Sequence, residues 1–246
     1  METINQSKVQ FDKLMSLLEE KNEYIKDHYN KMFKIFNYIY LINHFKNRAE
    51  TKHYFNSHFN IAFSLMIEST FLLYSKHEKA SLLMLRSAQE MTLKSIIYQE
   101  REWIKSKKND YTFDKLDFRF NENKKILVKD LELFLPKEYK EYYTELDRTL
   151  EIYKKLSGIV HSTNETMEFQ MYRYFSSLLE NINYTDKIID IFIRTFKNLL
   201  TLICYMLRES IKKWDTYELN DILSVVIKKE KSRNNFIKKF KTVPTN

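Results

Sequence analysis

Apolar residues recur three and four positions apart along most of the chain, which is the spacing of one face of an α-helix. Polar stretches near 47–51 and 107–112 interrupt this pattern, and 111–120 is expected to be irregular. The spacing predicts helical segments at about 9–46 (one helix or two), 52–77, 80–107, 121–135, 138–158, 166–181, 185–213 and 217–241. We therefore predict an all-α fold, a bundle of about seven or eight helices, several of them long.

The segment from Phe59 to Tyr74 is apolar nearly all round, and its only charged residue is Glu68. A helix of this kind is expected at the centre of a bundle. No linker rich in Pro, Gly or Ser divides the chain, so we predict one domain over 1–246. Its core is expected within 52–215, with a basic C-terminal helix and tail over 216–246.

The composition excludes several classes of protein. One glycine and two prolines in 246 residues argue against all-β and α/β folds, and they leave no Gly-rich loop for a Walker-type ATPase or a Rossmann enzyme. The single cysteine, Cys204, excludes an intrachain disulfide and a cysteine-based metal site, and we expect no metal or other cofactor. We also expect no signal peptide and no transmembrane helix, and hence a cytoplasmic protein.

Charge gives weak support for a nucleic-acid partner. The formal net charge is +8, and a basic protein attracts RNA and DNA phosphates. The predicted C-terminal helix interleaves Phe236, Ile237 and Phe240 with basic residues, so it either docks on the body and presents lysines to phosphates or forms a solvated face. The basic residues of this run are Lys228, Lys229, Lys231, Arg233, Lys238, Lys239 and Lys241.

The first candidate site is the pair Arg86 and Glu90, which share one face of the third predicted segment because they are four residues apart. Their neighbours are mostly apolar, so this face is expected to be at least partly buried, and buried charges must pair. The pair either pins two helices together or forms a charged site in which Arg86 holds an anion such as a phosphate.

The second candidate site surrounds the only glycine. Ser157 and His161 are four residues apart, with Gly158 between them, and a histidine can act as a general base near neutral pH. Because glycine serves where a backbone bends or closely approaches another group, Gly158 marks this position. His161 is alternatively a helix-end residue that bonds a carbonyl or Glu90. No Gly-x-Ser-x-Gly elbow supports a Ser–His hydrolase.

The third candidate site is Arg48 with His53, five residues apart between two predicted helices. The alternative is that both are exposed polar residues at a helix start. His53 and His58 are five positions apart, whereas a zinc-binding helix needs histidines four positions apart with a Glu between them.

The stretches Leu85–Glu90 and Tyr153–Ser162 together resemble bacterial all-helical proteins of the HEPN (higher eukaryote and prokaryote nucleotide-binding) superfamily and their relatives in abortive-infection and mobile-element loci. The resemblance covers about 55–165. It implies a helical bundle, a homodimer and a metal-independent ribonuclease, used as a toxin or in phage defence. In such proteins an Arg binds the scissile phosphate, and a His separated from it by four to six intervening residues acts as acid and base while the ribose 2′-hydroxyl attacks.

The sequence departs from that signature. Positions 154–156, where the Arg should precede His161, hold Lys, Lys and Leu, and a Lys cannot grip a phosphate bidentately. Only Arg48 and His53 keep the spacing. Our first choice of catalytic residues is therefore His161 as acid and base, Arg86 on the phosphate and Glu90 orienting one of them, with Ser157 beside them. Arg48 and His53 are the second choice.

Three functional hypotheses follow. The first is an RNA-cleaving effector of phage defence or a toxin, switched on by a protein partner or a phage-derived trigger. The second is a non-catalytic adaptor or sensor whose polar residues only fix helix packing. The third, a DNA-binding protein, is the least favoured, because no helix–turn–helix signal is found and its only support is the basic C-terminal helix.

Overall fold

The structure is a computed structural model, and it describes residues 2–18, 23–135, 139–161 and 185–241. Within these ranges the chain forms α-helices and one short 3₁₀ turn, and no strand, which confirms the all-α prediction. The elements are α1 Glu2–Leu18, α2 Glu23–Asp27, α3 Tyr29–Asn47, the 3₁₀ turn Lys52–Tyr54, α4 Ser57–Tyr74, α5 Glu78–Lys107, α6 Phe120–Glu132, α7 Lys140–His161, α8 Thr185–Met206, α9 Arg208–Ile211, α10 Thr216–Ser224 and α11 Glu230–Lys241.

Helix α5 organises the bundle. It pairs with α4 along most of its length and also packs against α6, α7 and α8, while α3 packs on α8 and α1 contacts α3 and α10. Its buried positions recur at helical spacing, from Leu82 and Leu85 to Ile104, so side chains from several helices meet around it. Buried apolar residues from α1 to α11 form one connected core.

The prediction that the segment from Phe59 to Tyr74 lies at the centre of the bundle is wrong for one of its faces. Helix α4 packs mainly on α5 and touches α3 only slightly. Its outer side chains Ile61, Ile67 and Phe71 are 51%, 48% and 54% exposed. The apolar composition of α4 therefore leaves an apolar face that no helix of the described part covers fully.

Short polar side chains fix the start of α4 and α10. Asn56 accepts a hydrogen bond from the Phe59 amide at 3.1 Å and donates to the Ser95 carbonyl at 3.2 Å, so it caps α4 and ties it to α5. Asp215 accepts from the amides of Tyr217 and Glu218 at 2.8 and 3.0 Å and caps α10.

Several predicted boundaries hold and others do not. The break after Asn47 and the irregular segment before Phe120 are present. The predicted helix 217–241 is instead two helices, because Arg233 donates to the carbonyls of Ile227 and Lys228 and holds the connection between α10 and α11. The predicted helix 166–181 and the cap at Ser162 lie outside the described residues. No helix of the described part is long and apolar enough to cross a bilayer.

Candidate functional site

Helices α5 and α7 pack antiparallel, and Arg86 and Glu90 meet α7 at one end of this contact. Tyr142 near the start of α7 donates to Glu100, and Tyr153, three turns later, contacts Arg86 and Glu90. Sequence alone could not say whether the Arg86 helix meets the His161 helix. We call the contact around Arg86, Glu90, Tyr153 and Ser157 the α5–α7 seam.

One hydroxyl links the two charged side chains of the seam. Arg86 Nη2 donates to Tyr153 Oη at 2.5 Å, and this hydroxyl donates its own proton to Glu90 Oε1, also at 2.5 Å. Arg86 Nη2 lies 3.3 Å from the same carboxylate oxygen. The side chains of Arg86 and Glu90 remain 23% and 36% exposed. The charges are therefore paired, but solvent still reaches them.

The ring of Tyr153 is held separately from its hydroxyl. It stacks on Phe120 of α6 with centroids 4.2 Å apart and an angle of 5° between the planes. The Arg86 guanidinium also lies over the Tyr153 ring, 4.8 Å from its centroid. Burial, and then the hydrogen bond to Glu90, raise the pKa of Tyr153, so the hydroxyl keeps its proton.

The seam also contains two buried polar atoms that have no hydrogen-bond partner among the described residues, Arg86 Nε and Ser157 Oγ. Ser157 lies one helical turn beyond Tyr153 on α7, about 6 Å along the axis. Because buried donors are normally satisfied, two such atoms on facing helices indicate a place for water or a ligand oxygen. His161 is the last residue of α7, and its side chain lies outside the described part.

The reason we gave for the single glycine is wrong. Gly158 lies inside α7 with an ordinary helical φ, not a positive one. A Cβ atom built on Gly158 meets nothing within 4 Å. Neither a bend nor a close approach of another described group therefore requires glycine at this position.

The second-choice residues Arg48 and His53 line one cleft of about 420 Å³ between the 3₁₀ turn and α9–α10. The Arg48 guanidinium is already paired with two carboxylates. It donates to both oxygens of Glu50 at 3.0 and 3.1 Å and forms an ion pair with Glu218 at 2.7 Å. Its guanidinium also covers the Trp214 ring at 4.1 Å.

His53 is exposed and stacks against Tyr54, with ring centroids 4.2 Å apart. Four carboxylates line the cleft against two permanent cations, Arg48 and Lys213. The carboxylates are those of Glu50, Glu209, Asp215 and Glu218. A cleft with this balance repels a phosphate, so its electrostatics weigh against the second-choice site for RNA cleavage.

The basic C-terminal helix α11 docks on the body through Ile237 and Phe240. Some of its cations are used to hold it there: Lys241 donates to the carbonyls of Lys212 and Trp214, and Lys239 pairs with Glu141. The docking that the sequence analysis offered as one alternative is present. The fixed cations weaken the case for a continuous phosphate-binding stripe.

The sequence analysis missed a buried ion pair between Glu100 and Arg208. Arg208 Nη1 and Nη2 donate to the two oxygens of Glu100 at 2.5 and 2.8 Å, and both side chains are 2% exposed or less. Tyr142 donates to the same carboxylate at 3.0 Å. A charged residue on the core face of α5, between Ile97 and Ile104, was the signal that could have revealed it. The pair is enclosed by packed side chains and is structural.

No group of three or more His, Cys, Asp or Glu side chains in the described part of the chain is arranged to hold a metal ion. No family model matches the chain, and neither the curated proteins nor the solved structures contain a match. The functional argument therefore rests on the residues of the seam themselves.

Proposed function

We propose that the chain is a cytoplasmic, metal-independent endoribonuclease of the HEPN-like kind, acting in phage defence or as a toxin. The observation that supports this most is the solvent-reached Arg86–Glu90 pair, packed against the helix that ends at His161. An arginine and a histidine on adjoining helices supply the anion binding and the proton transfer that metal-independent cleavage of RNA needs.

In the proposed reaction the ribose 2′-oxygen attacks the neighbouring phosphorus, and the bond from phosphorus to the 5′-oxygen breaks. His161 takes the proton of the 2′-hydroxyl as general base, and the imidazolium returns a proton to the leaving 5′-oxygen. Arg86 stabilises the charge on the phosphate oxygens, Glu90 orients Arg86, and Ser157 offers a further donor. The products are a 2′,3′-cyclic phosphate and a 5′-hydroxyl end.

The test is cleavage of RNA by the purified protein in EDTA, with wild type, His161→Ala and His53→Ala side by side. His58→Ala is the matched control, because His58 stacks on Tyr98 at 4.7 Å, away from both candidate sites. Loss of a general acid–base group lowers the rate by about 10²–10⁴-fold. We expect this loss for His161→Ala alone, with circular dichroism unchanged.

Other outcomes redirect the assignment. A loss confined to His53→Ala moves the site to the cleft of Arg48. Equal activity in all variants, or no cleavage by wild type with and without candidate phage-derived triggers, refutes the nuclease.

The second candidate function is a non-catalytic adaptor or sensor. It is favoured by the apolar outer face of α4, where Ile61, Ile67 and Phe71 are about half exposed, because such faces mark protein contacts. It predicts that Arg86→Ala lowers the unfolding temperature and that no RNA is turned over. For both candidate functions we expect a homodimer. Light scattering measures the mass of the protein in solution and tests this expectation.

A further inference from the structure

We propose that Tyr153 is the positioning residue of this site: its hydroxyl, bonded to both Arg86 and Glu90, limits their contact to one nitrogen and one oxygen, so that the rest of the guanidinium is left for an anion. The inference rests on the proposed role of Arg86 as the phosphate-binding group. Tyr153 was absent from the residues chosen by sequence, because an aromatic residue on an apolar helix face is usually core.

The hydroxyl of Tyr153 forms one hydrogen bond with each of the two charged side chains. It donates to Glu90 Oε1 and accepts from Arg86 Nη2, each at 2.5 Å. Glu90 in turn approaches Arg86 with the single oxygen Oε1, at 3.3 Å from Nη2. An unobstructed Arg and Glu four residues apart tend to form a bidentate pair, which uses two nitrogens and cancels the charge. The hydroxyl between them prevents that arrangement.

The remaining donors of the seam lie on its two helices, Arg86 Nε on α5 and Ser157 Oγ on α7, and both are buried. Arg86 engages Tyr153 and Glu90 through Nη2, and its Nε has no partner in the part of the chain that the structure describes. The Ser157 hydroxyl, one turn further along α7, has none either. An oxygen of a phosphate is the ligand that two hydrogen-bond donors, one of them a cation, bind well. The ligand class is therefore an oxyanion, a phosphodiester in the proposed reaction.

The role of the hydroxyl can be separated from the role of the ring. Tyr153→Phe keeps the stacking on Phe120 and the contact of Arg86 with the ring. It removes only the oxygen, after which Glu90 closes on Arg86. Folding is expected to survive, since the charged pair tightens rather than losing a partner.

The experiment compares wild type, Tyr153→Phe and a matched Tyr205→Phe control in two assays. Tyr205 donates to Glu141 at 3.3 Å and stacks on Tyr142, so it also loses a hydroxyl bonded to a carboxylate, outside the seam. The first assay is RNA cleavage in EDTA, with kcat and KM separated. The second is the rise in unfolding temperature caused by inorganic phosphate, with chloride at equal ionic strength as reference.

For Tyr153→Phe we expect a loss of about 100-fold in kcat/KM, the usual effect of displacing a group that contacts the reacting atoms. Phosphate affinity should fall about tenfold or more, as for loss of a hydrogen bond to a charged group. The unfolding temperature without phosphate should not change, and Tyr205→Phe should match wild type in both assays.

The outcomes test the role of Tyr153 separately from the proposed ribonuclease activity. Wild-type levels of cleavage and phosphate response in Tyr153→Phe overturn the inference and leave the nuclease standing. Phosphate stabilisation that Tyr153→Phe loses, without cleavage by any variant, supports the inference and removes the nuclease. A wild-type protein that neither cleaves RNA nor responds to phosphate overturns both. A fall in the unfolding temperature of Tyr153→Phe that accounts for its losses also overturns the inference, because the hydroxyl is then structural.

Discussion

Removal of Arg208 is expected to unfold the bundle at a much lower temperature, because it leaves the Glu100 carboxylate buried without its cation. Arg208 makes two charge-assisted hydrogen bonds to Glu100 and one to the Tyr205 carbonyl at 3.0 Å. It also covers the Trp103 ring at 4.5 Å. Burial opposes the charge on Arg208, but Glu100 outweighs it and raises the pKa of Arg208 above its ordinary value.

We expect Arg208→Met to lower the free energy of unfolding by about 3–5 kcal/mol, the cost of leaving one partner of a buried pair uncompensated. At roughly 2–4 °C per kcal/mol for a chain of this size, the unfolding temperature should fall by about 6–20 °C. Glu100→Leu should cost a similar amount. The double variant should cost far less than the sum, because two apolar side chains replace the pair and only Tyr142 and the Tyr205 carbonyl lose partners.

Urea denaturation of wild type, the two single variants and the double variant gives the coupling energy directly. The exposed pair Lys129 and Asp114, joined at 2.6 Å, serves as control and should show no coupling beyond error, because water and salt screen it. Costs of Arg208→Met and Glu100→Leu that add to within about 0.5 kcal/mol would refute the reasoning. The pair would then not act as one unit.

Three further predictions concern other sites. Gly158→Ala should raise the free energy of unfolding by about 0.5–1 kcal/mol in urea denaturation, because a helical, exposed glycine gains nothing from its freedom; a loss of stability would mean that something covers this face. Arg48→Ala should lower the free energy of unfolding by about 1–2 kcal/mol in the same assay, because solvent screens the ion pair with Glu218 and the contact with Trp214 remains the larger loss. Glu218→Gln should lower it by less. Burial raises the pKa of Tyr38 to about 12, so the native state keeps a proton that the unfolded state loses above pH 10; stability should fall between pH 10 and 12, and less steeply in Tyr38→Phe.

Helical periodicity was enough to predict most of the elements, because in a chain with so few turn residues the apolar spacing is rarely interrupted. The end of α3 and the loop before α6 both follow changes in that spacing. The break between α10 and α11 has no glycine or proline to mark it. It depends on Arg233 reaching back to two carbonyls, a contact that periodicity does not encode.

Position within the bundle was harder to predict than helix formation. The uniform apolarity of α4 indicated a central helix, yet its partner is α5 and its opposite face is open. Periodicity reports how apolar each face is, but not how many neighbours exist to cover it. The Glu100–Arg208 pair was not predicted for a related reason. Its members lie 108 residues apart in the sequence, and only helix packing brings them together.

The candidate site was predicted in part. Spacing alone placed Arg86 and Glu90 on one face, and their ion pair is present at 3.3 Å. The contribution of α7 could not follow from spacing, since Tyr153 occupies a position typical of a core aromatic. Its hydroxyl has a role only because α5 and α7 meet at this level.

Two arginine–glutamate pairs that involve α5, Arg86–Glu90 and Arg208–Glu100, provide an internal comparison for what Arg86 does. Arg208 engages Glu100 with two nitrogens, adds a backbone carbonyl, and is sealed from solvent at 2% exposure. Arg86 meets Glu90 through one nitrogen, shares it with a hydroxyl, and stays 23% exposed. A pair selected only to pin helices gains most from the first geometry, because bidentate bonding offsets the cost of desolvation. The second geometry leaves the Arg86 side chain in contact with solvent and its charge only partly neutralised, which stability does not require and an anionic ligand does.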